Sequence, residues 1–300
     1  MFYKNDWLVW KYDGINFGSK TSPMSHFELQ INKTIDRTVM SYYDELLENA
    51  SIIRDTFSGP LDLMLSGGID GEIVLRCYHD FRIPVNVFIF RYENNYNHHD
   101  VAHAITICDS LNQQYTIIDF NLEKFFENNA YDIWKKVYSA GSGFLPHMKM
   151  TEYLDGMPII CASEPYWILD KESGEWFYEW EECHHSWAVY HRTVNRPAIT
   201  SWYEYSPEII VAHKRLRTIE QLLTNKIPGK ISSNTSKHTI HNFFWPNIAK
   251  RPKRTGFEGN KVTSYTSKPD FMLEFDKQFI HNRVSNQNIR IRPTALVEML

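Results

Sequence analysis

Leu61-Asp62-Leu63-Met64-Leu65-Ser66-Gly67-Gly68-Ile69-Asp70-Gly71-Glu72 is the stretch that decides the fold. The apolar run from Leu61 to Leu65 has the length and composition of a buried strand. It stops abruptly at Ser66-Gly67-Gly68. From Ile69 onward, Ile73, Val74, Cys77 and Tyr78 recur at helical spacing. The order is therefore strand, tight loop of small residues, helix. Glycine takes positive φ without a steric penalty and lets backbone N–H groups approach a ligand closely. The helix that follows aims the positive end of its dipole at the same point. The expected ligand is a phosphate chain.

The alternation continues downstream. Residues 85–90 form a second strand pattern after Arg82-Ile83-Pro84. Asp100 reads as an N-cap, with Val101, Ile105, Cys108 and Leu111 at helical spacing. A third strand (115–120), a third helix (122–138) and a fourth strand (158–162) follow. The pattern at 197–201 predicts a fifth strand. Ser206-Pro207-Glu208 then opens a helix, with an N-cap serine, proline in the first turn and an acid near the dipole. That helix runs to Pro228-Gly229. Upstream, residues 7–12 predict a short aromatic strand. Ile31, Ile35, Val39, Tyr43, Leu46, Ala50 and Ile53 predict one long amphipathic helix that ends before Ser58-Gly59-Pro60. Strands alternating with helices predict an α/β fold: a five-stranded, parallel, twisted sheet with helices on both faces. Ligands of such sheets sit at the carboxyl ends of the strands, where Ser66 falls. Three segments are expected: 1–57 packing on the core, 58–228 holding the site, and a basic, partly irregular extension at 229–300 closing over it.

Hydrophobic content of 43% supports a substantial core, and a net charge of -4 argues against general attraction to nucleic acid or membrane. Cys77, Cys108, Cys161 and Cys183 contain no CxxC pair, so reduced, intracellular thiols are expected. The charged, aromatic start MFYKNDWLVWKYDG is unlike a signal peptide. No apolar run approaches the roughly 20 residues of a membrane span. A cytoplasmic protein is the expectation.

Neither GxxxxGK[ST] nor the dinucleotide fingerprint is present. The run Ser66-Gly67-Gly68-Ile69-Asp70-Gly71 instead resembles the SGGxDS loop of the PP-loop ATP pyrophosphatases, an adenine nucleotide alpha-hydrolase-like fold. That superfamily includes NAD synthetase, GMP synthetase, the synthetase domain of asparagine synthetase and 7-cyano-7-deazaguanine synthase. Two further stretches are similar to the asparagine synthetase branch. Ile159-Ile160-Cys161-Ala162-Ser163-Glu164 resembles its strand followed by small and acidic residues. Arg251-Pro252-Lys253-Arg254-Thr255-Gly256-Phe257-Glu258 resembles the basic segment that closes over pyrophosphate.

The resemblance implies ATP and Mg²⁺ as cofactors, and an AMP-forming ligase that adenylates a carboxyl or carbonyl group for attack by ammonia or an amine. It implies that Leu65, Ser66, Gly67, Gly68, Ile69, Asp70 and Gly71 hold the phosphates, with Phe90, Arg91 and Ser163 also lining the nucleotide site. Asp70 would bind the metal. Lys253 and Arg254 would neutralise developing charge, and Glu164 would be the remaining site carboxylate. Gly71 departs from the family pattern, which has a serine hydroxyl there. Phe2 stands where a glutaminase nucleophile would be, so nitrogen is expected from free ammonia or an amine. The 7-cyano-7-deazaguanine synthase branch is disfavoured by the missing cysteine cluster. The expected partners are a small-molecule acid or nucleotide acceptor. Nucleic acid is the alternative substrate for the Lys250–Arg254 run, a homodimer is admissible, and no membrane is involved.

Two histidine clusters invite a metal reading. His98-His99-Asp100, with His103, reads better as a solvated helix start lining the cleft. Cys183-His184-His185, with His191 and the neighbouring Glu181, Glu182 and Trp187, reads as an ordinary helix over 179–191 with an aromatic face. The aromatic cluster Trp167, Trp176, Tyr178, Trp180, Trp202 and Tyr203 is read as core, with a stacking pocket as the alternative.

Overall fold

A buried carboxylate sets the register of the central sheet. Asp62 is 1% exposed. Its Oδ1 accepts from Asn86 Nδ2 at 2.8 Å and its Oδ2 accepts from the Gly156 N–H at 2.6 Å. Asp62 thus ties its own strand to the starts of two others. The computed structural model in which this is seen describes residues 7–32, 34–161, 164–170, 172–224 (side chains to 216), 241–248, 268–281 and 283–296.

The elements in chain order begin with β1 (Leu8–Tyr12), β2 (Ile15–Asn16), β3 (Phe27–Ile31), α1 (Tyr42–Thr56), β4 (Leu61–Met64) and α2 (Ile69–Asp80). Next come β5 (Asn86–Tyr92), α3 (His98–Ser110), β6 (Tyr115–Phe120), α4 (Leu122–Asn128), α5 (Ala130–Val137) and α6 (Leu145–Met150). The second half contributes β7 (Met157–Ile159), β8 (Trp167–Leu169), β9 (Trp176–Glu181), α7 (Ser186–Thr193), α8 (Pro207–Thr224), α9 (Asp270–Phe275) and β10 (Asn288–Ile291).

The central sheet is parallel and four-stranded, in the order β6-β5-β4-β7. The fifth strand expected at 197–201 is reduced to one parallel bridge, Ile199 beside Ile159. The Ile160 N–H donates to Ile199 O and the Ile199 N–H to Pro158 O, both at 2.8 Å, and the Trp202 N–H reaches Ile160 O at 3.3 Å without forming a second bridge. Among the described residues, no helix is long and apolar enough to cross a membrane.

Three other expectations are corrected. The helix read from Ile31 to Ile53 begins only at Tyr42, because Phe27–Ile31 pairs with β1 as an edge strand of the antiparallel sheet β2-β1-β3. Ser41 caps it, accepting from the Asp44 N–H. The helix read over 122–138 is two helices, broken at Asn129. The helix read over 179–191 is the end of β9, a 3₁₀ turn at Glu182–His185, and then α7. β9 pairs with β10 and β8, so part of the region read as irregular completes a second antiparallel sheet.

Candidate functional site

The strand order places the site. From β4 the chain steps outward to β5 and β6, then returns across β4 to place β7 on its other side. The carboxyl ends of β4 and β7 are thus a switch point of the strand order, the place where ligands of open parallel sheets bind. The loop leaving β4 is Leu65–Gly68 and the second, leaving β7, begins at Ile160. The second loop approaches the first turn of α2: a Cβ built on Gly71 would lie 4.0 Å from Cys161 Sγ.

Leu65 extends the ladder, donating its N–H to Phe88 O at 2.9 Å, with its side chain buried. Ser66 is exposed, and its Oγ lies 3.5 Å from the Gly68 N–H. Gly67 has φ +77°, and a Cβ there would sit 2.1 Å from Asp100 O and 3.0 Å from Ala104 N. The loop is thus pressed against the start of α3. Gly68 is the N-cap of α2 and provides no side-chain cap. The first intrahelical bond runs from the Glu72 N–H to Gly68 O. The N–H groups of Ile69, Asp70 and Gly71 therefore precede the helical ladder, in the position that suits an anion.

Gly71 is buried, and a Cβ there would come 3.1 Å from Leu65 Cδ1. The smallest side chain fits a helix start packed directly on the strand below it. Deeper in α2, Glu72 and Arg76 form a buried ion pair, with Arg76 Nη2 2.7 Å from Glu72 Oε1. One turn stacked on the next holds this pair inside the core.

Asp70 is half-buried, and its carbonyl accepts from Tyr203 Oη at 2.8 Å. Glu164 is buried and accepts from Tyr42 Oη at 2.8 Å, while His241 Nε2 donates to the same Oε1 at 2.6 Å. The two carboxylates share one electrostatic neighbourhood. Burial, then Glu164, pushes the Tyr42 hydroxyl far above its ordinary value, and Asp70 adds to this. Tyr203 is raised by burial, then by Glu164 and Asp70. Burial, then Asp70, raises the Cys161 thiol. All three groups remain protonated at neutral pH, so the tyrosines act as fixed hydrogen-bond donors.

The other expected residues fall as follows. Phe90 is buried, and its carbonyl accepts from Asn97 Nδ2 at 2.9 Å. Arg91 forms a two-pronged pair with Asp119 on β6 at 2.5 and 2.9 Å, directly across the strand register. Its guanidinium is already engaged there. Ser163, Lys253 and Arg254 lie outside the described residues. The aromatic run before the basic segment is docked: Trp245 Nε1 donates to Asp80 at 2.8 Å and Phe244 stacks on Tyr43.

Tyr42, Tyr203 and His241 were not singled out by the sequence reading as partners of the carboxylates. The helical periodicity in the sequence falls on Tyr43 rather than on its neighbour Tyr42, and the spacing of His241 from Glu164 holds no local signal.

No protein-family model matches the sequence, and no curated protein is similar to it. Solved structures similar to this chain include three synthetases. The NH3-dependent NAD synthetase of Campylobacter jejuni is 14% identical, covering 71% of this chain and 96% of that one, at a TM-score of 0.32. The NMN synthetase of Francisella tularensis is 14% identical over 73% and 100%, at 0.31. The glutamine-dependent NAD+ synthetase of Acinetobacter baumannii, in complex with ADP, is 12% identical over 80% and 54%, at 0.33. At these TM-scores the likeness carries no weight for function, which rests on this chain's own geometry.

Proposed function

We propose that this chain is an ATP pyrophosphatase of the AMP-forming ligase type. It binds ATP at the 66–71 loop and splits it between the α and β phosphates. It thereby adenylates a carboxyl or carbonyl group for attack by ammonia or an amine. The observation that carries this reading is the seat of Gly67. A left-handed residue pressed on α3, followed by an uncapped helix start at a switch point of a parallel sheet, forms a cradle for phosphate oxygens. Asp70, half-exposed beside that cradle, is the carboxylate that would hold Mg²⁺, which neutralises charge on the departing pyrophosphate. Glu164, held by Tyr42 and His241, is the second carboxylate assigned to the site. Lys253 and Arg254 are assigned to pyrophosphate by their resemblance alone. The acceptor is a small acid or nucleotide, with a nucleic-acid base as the alternative.

The test is product analysis with labelled ATP and Mg²⁺, in the presence of carboxylic-acid and ammonium or amine pools. AMP and pyrophosphate are expected in equal amounts. Asp70→Asn should abolish turnover while the circular dichroism stays native. ADP and phosphate as products would refute the reading. ATP binding without turnover in every pool would identify a nucleotide-binding module instead.

A further inference from the structure

The turn after β9 gathers three potential metal ligands from residues that play no part in the nucleotide site. It is anchored from within by alternate side chains. Glu182 Oε1 is 2.6 Å from Lys20 Nζ, and its Oε2 accepts from the Gln287 N–H at 2.8 Å. His185 is buried among Trp10, Phe27 and Trp180. The backbone is held as well: the Glu182 N–H donates to Gln287 O and the Cys183 N–H to Asn286 Oδ1, both at 3.0 Å.

Glu181, Cys183 and His184 converge in turn. Cys183 Sγ and His184 Nε2 each lie 3.8 Å from Glu181 Oε2, and the three ligand atoms lie within 4.8 Å of one another. The His184 ring is positioned by Phe144 and by Trp187, which lies nearly parallel to it. Among the described residues, no lysine or arginine pairs with Glu181. A tetrahedral zinc ion with bonds of about 2.0–2.3 Å holds such donors about 3.3–3.5 Å apart. The two pairs with Glu181 need to contract by about 0.3–0.5 Å, and the Cys183–His184 pair by at most about 1.3 Å. Side-chain exposures of 28% for Glu181 and 30% for His184 leave the fourth direction open to solvent.

We propose that Glu181, Cys183 and His184 form a binding site for a zinc-like divalent transition-metal ion, with a solvent-accessible fourth position. A thiolate, an imidazole and a carboxylate together select such an ion over Mg²⁺ or Ca²⁺. On binding, the Cys183 S–H bond is replaced by an S–metal bond and its proton leaves to solvent. Glu181 and His184 bind through lone pairs. In the helix that the sequence suggests, Glu181 and His184 would be neighbours but Cys183 would point to the far side from Glu181. The strand end followed by a 3₁₀ turn places them together.

The test uses the full chain, stripped with chelator and titrated with cobalt(II) chloride. One equivalent should produce a thiolate-to-cobalt charge-transfer band, and zinc(II) should bleach it. Cys77, Cys108 and Cys161 are buried, so the band reports on Cys183. Cys183→Ser should remove the band, and His184→Ala should weaken cobalt binding by more than about tenfold. No band at one equivalent, or a band that survives in Cys183→Ser, overturns the site. Should Cys183→Ser fail to fold, Glu181→Gln keeps the side-chain shape and decides. Weaker cobalt binding supports the site, and unchanged affinity overturns it.

Discussion

Replacing Gly67 by alanine isolates the contact on which the proposed nucleotide cradle rests. At φ +77°, an alanine takes on left-handed strain of about 1–2 kcal/mol. The new Cβ also lies 2.1 Å from Asp100 O, so loop and helix must part by about 1 Å, and such overpacking costs about 1–3 kcal/mol. Gly174 supplies the control. Its φ is +69°, and a Cβ there meets nothing within 4 Å, so Gly174→Ala carries the strain without the clash. A stiffer unfolded chain offsets part of the cost equally in both variants. Urea unfolding should therefore show Gly67→Ala less stable than Gly174→Ala by about 1–3 kcal/mol. ATP binding, followed by calorimetry, should fall at least tenfold in the first variant and be unchanged in the second. Equal stabilities, within about 0.5 kcal/mol, would mean that the loop does not rest on α3. Lost stability with intact ATP binding would separate the packing contact from the phosphate site.

Asp62→Ala removes the acceptor for Asn86 and Gly156 and leaves both donors at the sheet's lower edge; a loss of about 2–4 kcal/mol in urea unfolding is expected, and a loss under 1 kcal/mol would refute the register role. Tyr42→Phe withdraws one of the donors to buried Glu164 and should cost about 1.5–3 kcal/mol by the same assay, with a neutral effect refuting the hydrogen bond as drawn. The fourth prediction concerns acid. Burial holds His191 down at about 4, so its ring is neutral in the fold and protonated in the unfolded chain once pH falls below about 6.5. Between those values the unfolded state binds more protons, and stability falls as pH falls. From pH 7 to pH 5 His191 alone should remove about 2 kcal/mol. His191→Asn keeps a donor toward Arg196 O but cannot titrate there, so its loss over that interval should be smaller by this amount; identical pH slopes would refute the assignment. Glu204 acts in the opposite sense, because burial raises its carboxyl to about 7 and its contribution is lost as pH rises toward that value.

Local chemistry made the strand–loop–helix at 61–80 legible. An apolar run, two glycines and helical periodicity are all short-range signals, and each element formed there. Where the reading failed, the deciding contacts were remote. Phe27–Ile31 carries apolar residues that suit a helix start as well as a strand, and pairing with β1 selects the strand. The segment 197–201 has strand composition, yet only Ile199 reaches a partner. The cluster after Trp180 reads as a helix because its aromatic spacing is ambiguous, and pairing with β10 resolves it.

The sequence by itself determined that a small-residue loop links a buried strand to a helix, since backbone freedom at Ser66-Gly67-Gly68 is a property of those residues alone. It also determined the α/β alternation. Tertiary structure alone decided that the loop rests on α3 and that Tyr42 and His241 hold Glu164. It likewise decided that Arg91 is engaged by Asp119 and that Glu181, Cys183 and His184 share one point in space. The physical reason is sequence separation. Backbone preference and periodicity act over one or two turns of chain. The 122 residues between Tyr42 and Glu164, and the 77 between Glu164 and His241, are bridged only when burial of the sheet and its helices brings those segments together.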